Sequence, residues 1–545
     1  MTRARHRSAL PILALPLAAL AGPLPAVAAA QPAAPAPAVT AAVGYVYLRG
    51  ADTLGVETIA PGPTGVRGTL AMRGQPVLTW VQQHPAAPGG APGALTMEAG
   101  FPGQPVLQQA RFEAVGDSVR ASLTTAAGTQ ARTFPASAGA LPIINSSVLH
   151  GALLGDYARR AGRAQLPFFL TSGAMVVPGT VTVQGDTLTV SIGGTAVRVE
   201  LDATGAPRRA TIAAQNLTVV RAGTVAPLPA AAAPALPDYR APAGAPYTAV
   251  DVTIPTPRGY TLAGTLTRPA GAPARVPVVV TISGSGQQER DERLPMLPAY
   301  AFFREVADTL GRRGVAVLRY DDRGTGASGG RETLARATSA DFADDARAVV
   351  AWLRTRPDVD QGRILLAGHS EGGLIAPLLA AADTALRGVA LLAGPAYSGR
   401  RILLYQNDQA IAAAPGLSPT QRDSIRARVP ADLDSAAGTN PWIRYFLAHD
   451  PLPVARQLRQ PVLILQGDTD RQVTPDQADT LAAALTAAGN RDVTLRRFPD
   501  TNHLFLADPS GDPQRYAALP DSRIRREVLG ALVEWAVRVG TPAPR

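Results

Sequence analysis

Cysteine and lysine are both absent from this 545-residue chain. Without cysteine there are no thiol nucleophiles, disulfides or thiolate metal sites. Without lysine there is no Walker-type phosphate loop, no Schiff-base chemistry and no serine–lysine dyad. Histidine is scarce, with six in all, so any imidazole base comes from a short list. The formal charge of +10 rests on arginines that are scattered, with few aromatics among them. That pattern is not a nucleic-acid signal, and no nucleic-acid partner is expected. Apolar residues are ample, which fits a folded protein, and the length exceeds one ordinary core, so two domains are expected.

The first thirty residues read as an export signal. Arg3, Arg5 and Arg7 precede an apolar run from Ala9 to Leu20, and Ala26, Ala28 and Ala30 suit signal-peptidase cleavage. The run is too short for a comfortable membrane span, so none is expected after cleavage and the expected location is periplasmic or secreted, with an uncleaved N-terminal anchor as the lesser alternative. Residues 31–42 form a proline–alanine tether. Residues 43–221 read as a β-rich accessory domain, because short alternating runs such as "GYVYL", "VLTWV" and "DTLTVSI" recur between turn residues, Gly185–Asp186 and Gly193–Gly194 among them. An antiparallel curved sheet or partial barrel is expected, with one helix over 148–162. A second proline–alanine linker, 222–246, follows.

From residue 247 to 545 the grammar changes. A hairpin, "AVDVTI" with "TLAGTLTRP", leads into continuous apolar runs at 276–284, 314–322, 363–370, 388–395, 461–468 and 493–500, with helical patterns between them. Buried strands alternating with helices predict a mostly parallel, doubly wound α/β sheet. Chemistry then belongs at the carboxyl ends of the strands.

Gly-x-Ser-x-Gly occurs twice, around Ser370 in "LLAGHSEGG" and around Ser328 in "GASGG". Ser370 comes directly after an apolar strand and directly before a helix-compatible run. A sharp strand–turn–helix lifts the serine Oγ above the sheet. Ser328 comes several residues after its strand, with no immediate helix, and reads as a loop serine.

A serine nucleophile needs a neutral imidazole as base. His6 leaves with the signal, His84 and His150 belong to the β-rich half, and His369 is fixed beside Ser370. Of the remaining two, His503 lies just past the last strand. His449 lies in a helical insertion, as a surface or pocket residue. Chain order in this architecture runs serine, acid, histidine, which favours His503 and leaves His449 as the lesser candidate base. The acid is Asp470 or Asp468, both at the end of "LILQGDTD". Asp470 is preferred because it extends further over the sheet edge, and Asp468 is expected to cap the turn. Backbone N–H groups of Glu371 and of Ser285, in "SGSGQQERDE", are the expected oxyanion donors. That loop reads as a flexible, glycine-rich turn.

Together "ISGSGQQERDE", "LRYDDRGTGASGG", "LLAGHSEGG", "LILQGDTDRQV" and "DTNHLF" resemble the α/β-hydrolase family, closest to bacterial serine esterases related to dienelactone hydrolase and prolyl-oligopeptidase-type domains. The resemblance covers about residues 247–540. It implies Ser370 as nucleophile, Asp470 as acid, His503 as base and Ser285 and Glu371 as oxyanion donors. The family's usual histidine–glycine of the oxyanion loop is here Ser283–Gly284. Residues 396–458 would form a helical cap, in which Trp442, Tyr445 and Phe446 serve either cap packing or substrate contact. The expected activity is hydrolysis of a small-molecule carboxylic ester through an acyl-enzyme, with no metal or organic cofactor. A peptidase or thioesterase with the same triad, or a binding protein with a degenerate hydrolase domain, is the alternative.

Overall fold

The computed structural model describes residues 42–540, apart from breaks at 51, 73–74, 88–89, 101–105, 107, 126–127, 137–138, 172–174, 194, 223–236, 272–274, 295–296 and 414–418. The export signal, nearly all of the tether, Gly194 and most of the second linker lie outside the described residues. The chain divides into two compact units, 1–235 and 236–545. Among the described residues no helix is long and apolar enough to cross a membrane.

Alternation of period two places one face of each strand inward, and the first unit is built on this rule. Its main sheet has thirteen antiparallel strands in one linear order, with Gly179–Gln184 and Gly128–Pro135 at its ends. Eight strands from Val43–Arg49 to Gly128–Pro135 follow chain order, and Leu217–Ala222 pairs back onto Val43–Arg49. The turn at Gly185–Asp186 is a two-residue hairpin, since Gln184 pairs with Thr187 and Gly185 has φ 59°. Helix Val148–Arg160 starts at Ser147, whose hydroxyl accepts the His150 N–H at 2.9 Å. Its apolar face packs with Tyr45, Tyr47, Leu188 and Val190.

Strand Asp52–Pro61 has no clean apolar alternation, because one inward position is Glu57. That carboxylate is fully buried and saturated with donors. Tyr47 Oη, Trp80 Nε1 at 3.1 Å and Ser147 Oγ at 2.6 Å all donate to it. Burial pushes its pKa up, against those hydrogen bonds.

In the second unit the apolar runs are strands of one eight-stranded sheet, in the order Tyr247–Pro255, Thr261–Pro269, Ala316–Tyr320, Val276–Ile282, Val359–His369, Gly388–Leu392, Val462–Gly467, Val493–Phe498. The first three pair antiparallel and the rest parallel. Alternate residues of one strand enter different cores. Val278, Val280 and Leu366 pack with helices Ser339–Arg354, Gly372–Ala382 and Asp476–Ala487. Val279 and Leu365 pack with helices Phe302–Gly311 and Arg526–Gly540. Both faces of the sheet are therefore covered, which is why its strands read as unbroken apolar runs. Val276–Ile282 lies between the two strands of this sheet that follow it in sequence, Ala316–Tyr320 and Val359–His369, so the chain departs to opposite sides there. That switch point opens a crevice at the carboxyl ends of Val276–Ile282 and Val359–His369.

Candidate active site

Ser370 sits where strand Val359–His369 gives way to helix Gly372–Ala382. Its φ is 52°, a left-handed conformation that costs a residue with a side chain roughly 1–2 kcal/mol. The flanking glycines make this turn possible. A Cβ on Gly368 would overlap the Gly372 carbonyl, and one on Gly372 would overlap the Ile282 carbonyl. Ser328 has no such setting. Its hydroxyl accepts from Ala263 N–H at 2.9 Å and donates to the Asp321 carbonyl at 2.7 Å. The second motif is a loop closed around Asp321, where a Cβ on Gly326 would strike that carboxylate.

His503 and Asp470 come from the loops after the last two strands of the sheet. His503 Nδ1 donates to Asp470 Oδ2 at 2.8 Å, and the residues are only 4% and 2% exposed. Asp470 is held from several sides. Its Oδ1 accepts the N–H groups of Gln472 at 2.7 Å and Val473 at 2.9 Å, and its Oδ2 also accepts Gln466 Nε2 at 3.0 Å. Asp468 instead takes Arg497 Nε at 2.7 Å. His449 ends helix Pro441–Ala448, stacks on Tyr445 and has a buried Nε2 without a partner. Burial lowers its pKa. The His503 backbone is tied to the elbow, because His369 Nε2 donates to its carbonyl at 3.1 Å. The two rings lie 5.0 Å apart between centroids.

The backbone N–H groups of Ser285 and Glu371 have no hydrogen-bond partner among the described residues. Glu371 follows Ser370 in the elbow, and Ser285 follows Gly284, on which an added Cβ would stand 3.2 Å from the Ser370 Cβ. Gly284 N–H, by contrast, donates to Glu292 Oε1 at 2.8 Å.

The expectation that 283–292 is a flexible turn is overturned. Buried charges pin it. Arg290 binds Asp321 through Nε and Nη2, both at 2.9 Å, and through its own backbone N–H at 2.8 Å. Arg319 pairs with buried Asp291. Ser283 Oγ and Gln288 N–H both donate to Asp322, at 2.9 and 3.0 Å. Burial drives the Asp322 carboxyl well above its ordinary pKa. Such pairs are costly to desolvate and costlier to break, about 3–5 kcal/mol if one partner is removed. The loop is therefore held in one shape. Sequence reasoning missed Asp321, Asp322, Glu292 and His369 as parts of the site. The available signal was charge complementarity between "ERDE" and "RYDDR".

The cap contains helices Gly399–Ala413, Pro419–Thr439, Pro441–Ala448 and Pro451–Ala455. Trp442 reaches from it to the elbow. Its Nε1 donates to Glu371 Oε1 at 2.8 Å, which also accepts Ser339 Oγ at 2.6 Å. Burial raises the pKa of Glu371, whose carboxyl also faces the Ser285 side chain. Phe446 is buried against Gly399 and stacks on Trp442 at 5.2 Å, so it is a packing residue. Tyr445 is half-buried. Among the described residues no group of three or more acidic or histidine side chains is arranged to hold a metal ion.

A mixed sheet with its switch point at a strained serine elbow, acid and histidine on successive strand ends and helices inserted before the penultimate strand is the layout of the α/β-hydrolase fold. Residues 301–521 match the family model of the prolyl oligopeptidase family. Esterase EstD of Thermotoga maritima is 26% identical over 311 residues, covering 56% of this chain and 70% of that protein. Among solved structures, esterase Pf2001 of Pyrococcus furiosus overlaps with a TM-score of 0.38 at 18% identity, over 54% of this chain and 92% of that one. Est1E of Butyrivibrio proteoclasticus overlaps with a TM-score of 0.35 at 17% identity, over 53% of this chain and 98% of that one.

Proposed function

We propose that this protein is an exported serine hydrolase that cleaves carboxylic esters through an acyl-enzyme. The observation that carries the reading is the buried His503–Asp470 pair, 2.8 Å apart, whose histidine backbone is tied to the Ser370 elbow. Ser370 Oγ attacks the ester carbonyl carbon while His503 Nε2 takes the hydroxyl proton. Asp470 keeps the proton on Nδ1 and stabilises the imidazolium. The carbonyl oxygen becomes an oxyanion beside the Ser285 and Glu371 N–H groups, each worth about 3 kcal/mol of barrier. The tetrahedral species collapses, and His503 returns the proton to the departing alkoxide. Water then attacks the acyl-serine, giving up its proton to His503, and the carboxylic acid leaves as Ser370 is re-formed.

Turnover of short and medium p-nitrophenyl esters by the wild type and by S370A tests this. S370A is expected to lose about 10⁴-fold or more in kcat. A fluorophosphonate is expected to label Ser370 alone. Equal rates in the two proteins, or labelling at another residue, would sink the assignment. The prolyl oligopeptidase match favours one further reading, cleavage of amides by the same groups. Amide substrates of matched acyl group separate the two. Cell fractionation against an N-terminal truncation tests export.

A further inference from the structure

Behind the elbow, one buried carboxyl joins three loops. Glu292 and His369 are each 3% exposed. Glu292 Oε1 accepts the Gly284 N–H at 2.8 Å and lies 2.9 Å from His369 Nδ1. The other ring nitrogen holds the His503 carbonyl at 3.1 Å. Neither side chain has a step in the reaction above. The arrangement is nonetheless maintained at a cost. Glu292 has φ 55°, and its Oε2 is buried without a partner. Strain and an unmet buried acceptor each destabilise, and they persist where the surroundings over-determine them. Phe302 and Phe505 stand beside the His369 ring, at 5.0 and 6.0 Å.

The protons can be placed. A carbonyl only accepts, so His369 Nε2 carries hydrogen. Nδ1 therefore either takes a proton from a Glu292 carboxylic acid or donates one to its carboxylate. In both cases a single proton lies between Oε1 and Nδ1, and Oε1 still accepts from Gly284. Burial alone would lower the pKa of His369, but the Glu292 charge and hydrogen bonds outweigh it and the net shift is upward. Glutamine cannot reproduce this. Turning its NH2 to a bare Nδ1 takes the acceptor from Gly284. Turning its oxygen leaves either an unmet Nδ1 or an unpaired buried imidazolium.

We propose that Glu292 is a positioning residue that keeps the oxyanion donors and the base in register, fixing the Ser285 loop through Gly284 and the His503 backbone through His369. This rests on the reading of Ser370 as nucleophile. The full-length E292Q, E292D and S370A variants test it. In E292Q, kcat is expected to fall about 10- to 100-fold with KM changed by less than about threefold, because alignment of donors matters in the transition state. E292D, one methylene shorter but still acidic, is expected to recover part of that loss. Proton NMR of the wild type is expected to show two far-downfield imidazole N–H resonances, one of which E292Q abolishes. A purely structural role would lower the melting temperature without splitting kcat from KM. Wild-type kcat in folded E292Q, or in E292D should E292Q not fold, would overturn the proposal, as would persistence of both resonances in E292Q. An active S370A would instead sink the hydrolase reading, while the resonances still report on the Glu292–His369 link.

Discussion

Each unit of the chain buries a histidine, and the pKa values of the two are shifted in opposite directions. His150 in the first unit is fully buried among uncharged partners. Its Nδ1 accepts the Ile144 N–H at 3.2 Å, which leaves the hydrogen on Nε2 to donate to Gln82 at 3.1 Å. Burial pushes its pKa down to about 3. His369 in the second unit is as deeply buried, yet the carboxyl of Glu292 reverses the sign of the shift. Burial alone disfavours the charged ring, whereas an acid beside it favours that form. The same contrast holds for carboxylates. Glu57 has donors on both oxygens and nothing left to offer, whereas Glu292 keeps one oxygen unmet. The Glu57 cluster is saturated and structural. The Glu292 cluster leaves an acceptor unmet behind the elbow.

The largest effect that should separate the units lies at the acid. D470N keeps the shape of the side chain but lets the amide donate to Nδ1, which puts the imidazole in the wrong tautomer. It is expected to lower kcat by about 10³–10⁴-fold. Near-wild-type kcat in D470N would mean that Asp470 is as structural as Glu57, and the contrast between the units would fail. No substitution in the Glu57 cluster is expected to approach that loss in kcat.

The second unit was legible because its signals are local and redundant. Apolar runs, an elbow flanked by glycines and the order of Ser370, Asp470 and His503 each reflect a strand end. Residues whose meaning depends on partners far along the chain were not legible. Glu57 interrupts its strand's pattern because its donors come from Tyr47, Trp80 and Ser147, the last 90 positions away. The loop 283–292 reads as mobile from its glycines and charges. It is rigid because Arg290 and Asp291 find partners at Asp321 and Arg319, about 30 residues on. Ser283 in place of the usual histidine likewise gains sense only through Asp322. Local propensity carries no record of which charge meets which.

The next effect is on stability. In the folded chain His150 stays neutral down to about pH 3, while in the unfolded chain it binds a proton below about 6.5. Stability from this residue is therefore complete above pH 6.5 and drains away as pH falls towards 3, by an amount on the order of 4 kcal/mol. H150Q can offer both hydrogen bonds without titrating. Urea midpoints of the first unit, measured for wild type and H150Q between pH 7 and 3.5, should diverge as pH falls, with wild type losing more. Parallel curves would mean that His150 is protonated inside the fold, and the two histidines would no longer be opposites.

The smallest expected effect concerns the cap. Trp442 is both stacked on Phe446 and hydrogen-bonded to Glu371, so packing and latching can be separated by W442F. Phenylalanine keeps the stack and removes the donor, while Ser339 still serves the carboxyl. One such bond is worth about 1 kcal/mol of net stability, so W442F should lose a few degrees of melting temperature at most, and kcat/KM should fall by no more than about fivefold, the rate equivalent of the same energy. W442A loses both contacts and should also lower the melting temperature. If W442F matches wild type in kcat/KM across acyl lengths while W442A is merely unstable, Trp442 is packing alone. The cap would then resemble the saturated Glu57 cluster more than the elbow it borders.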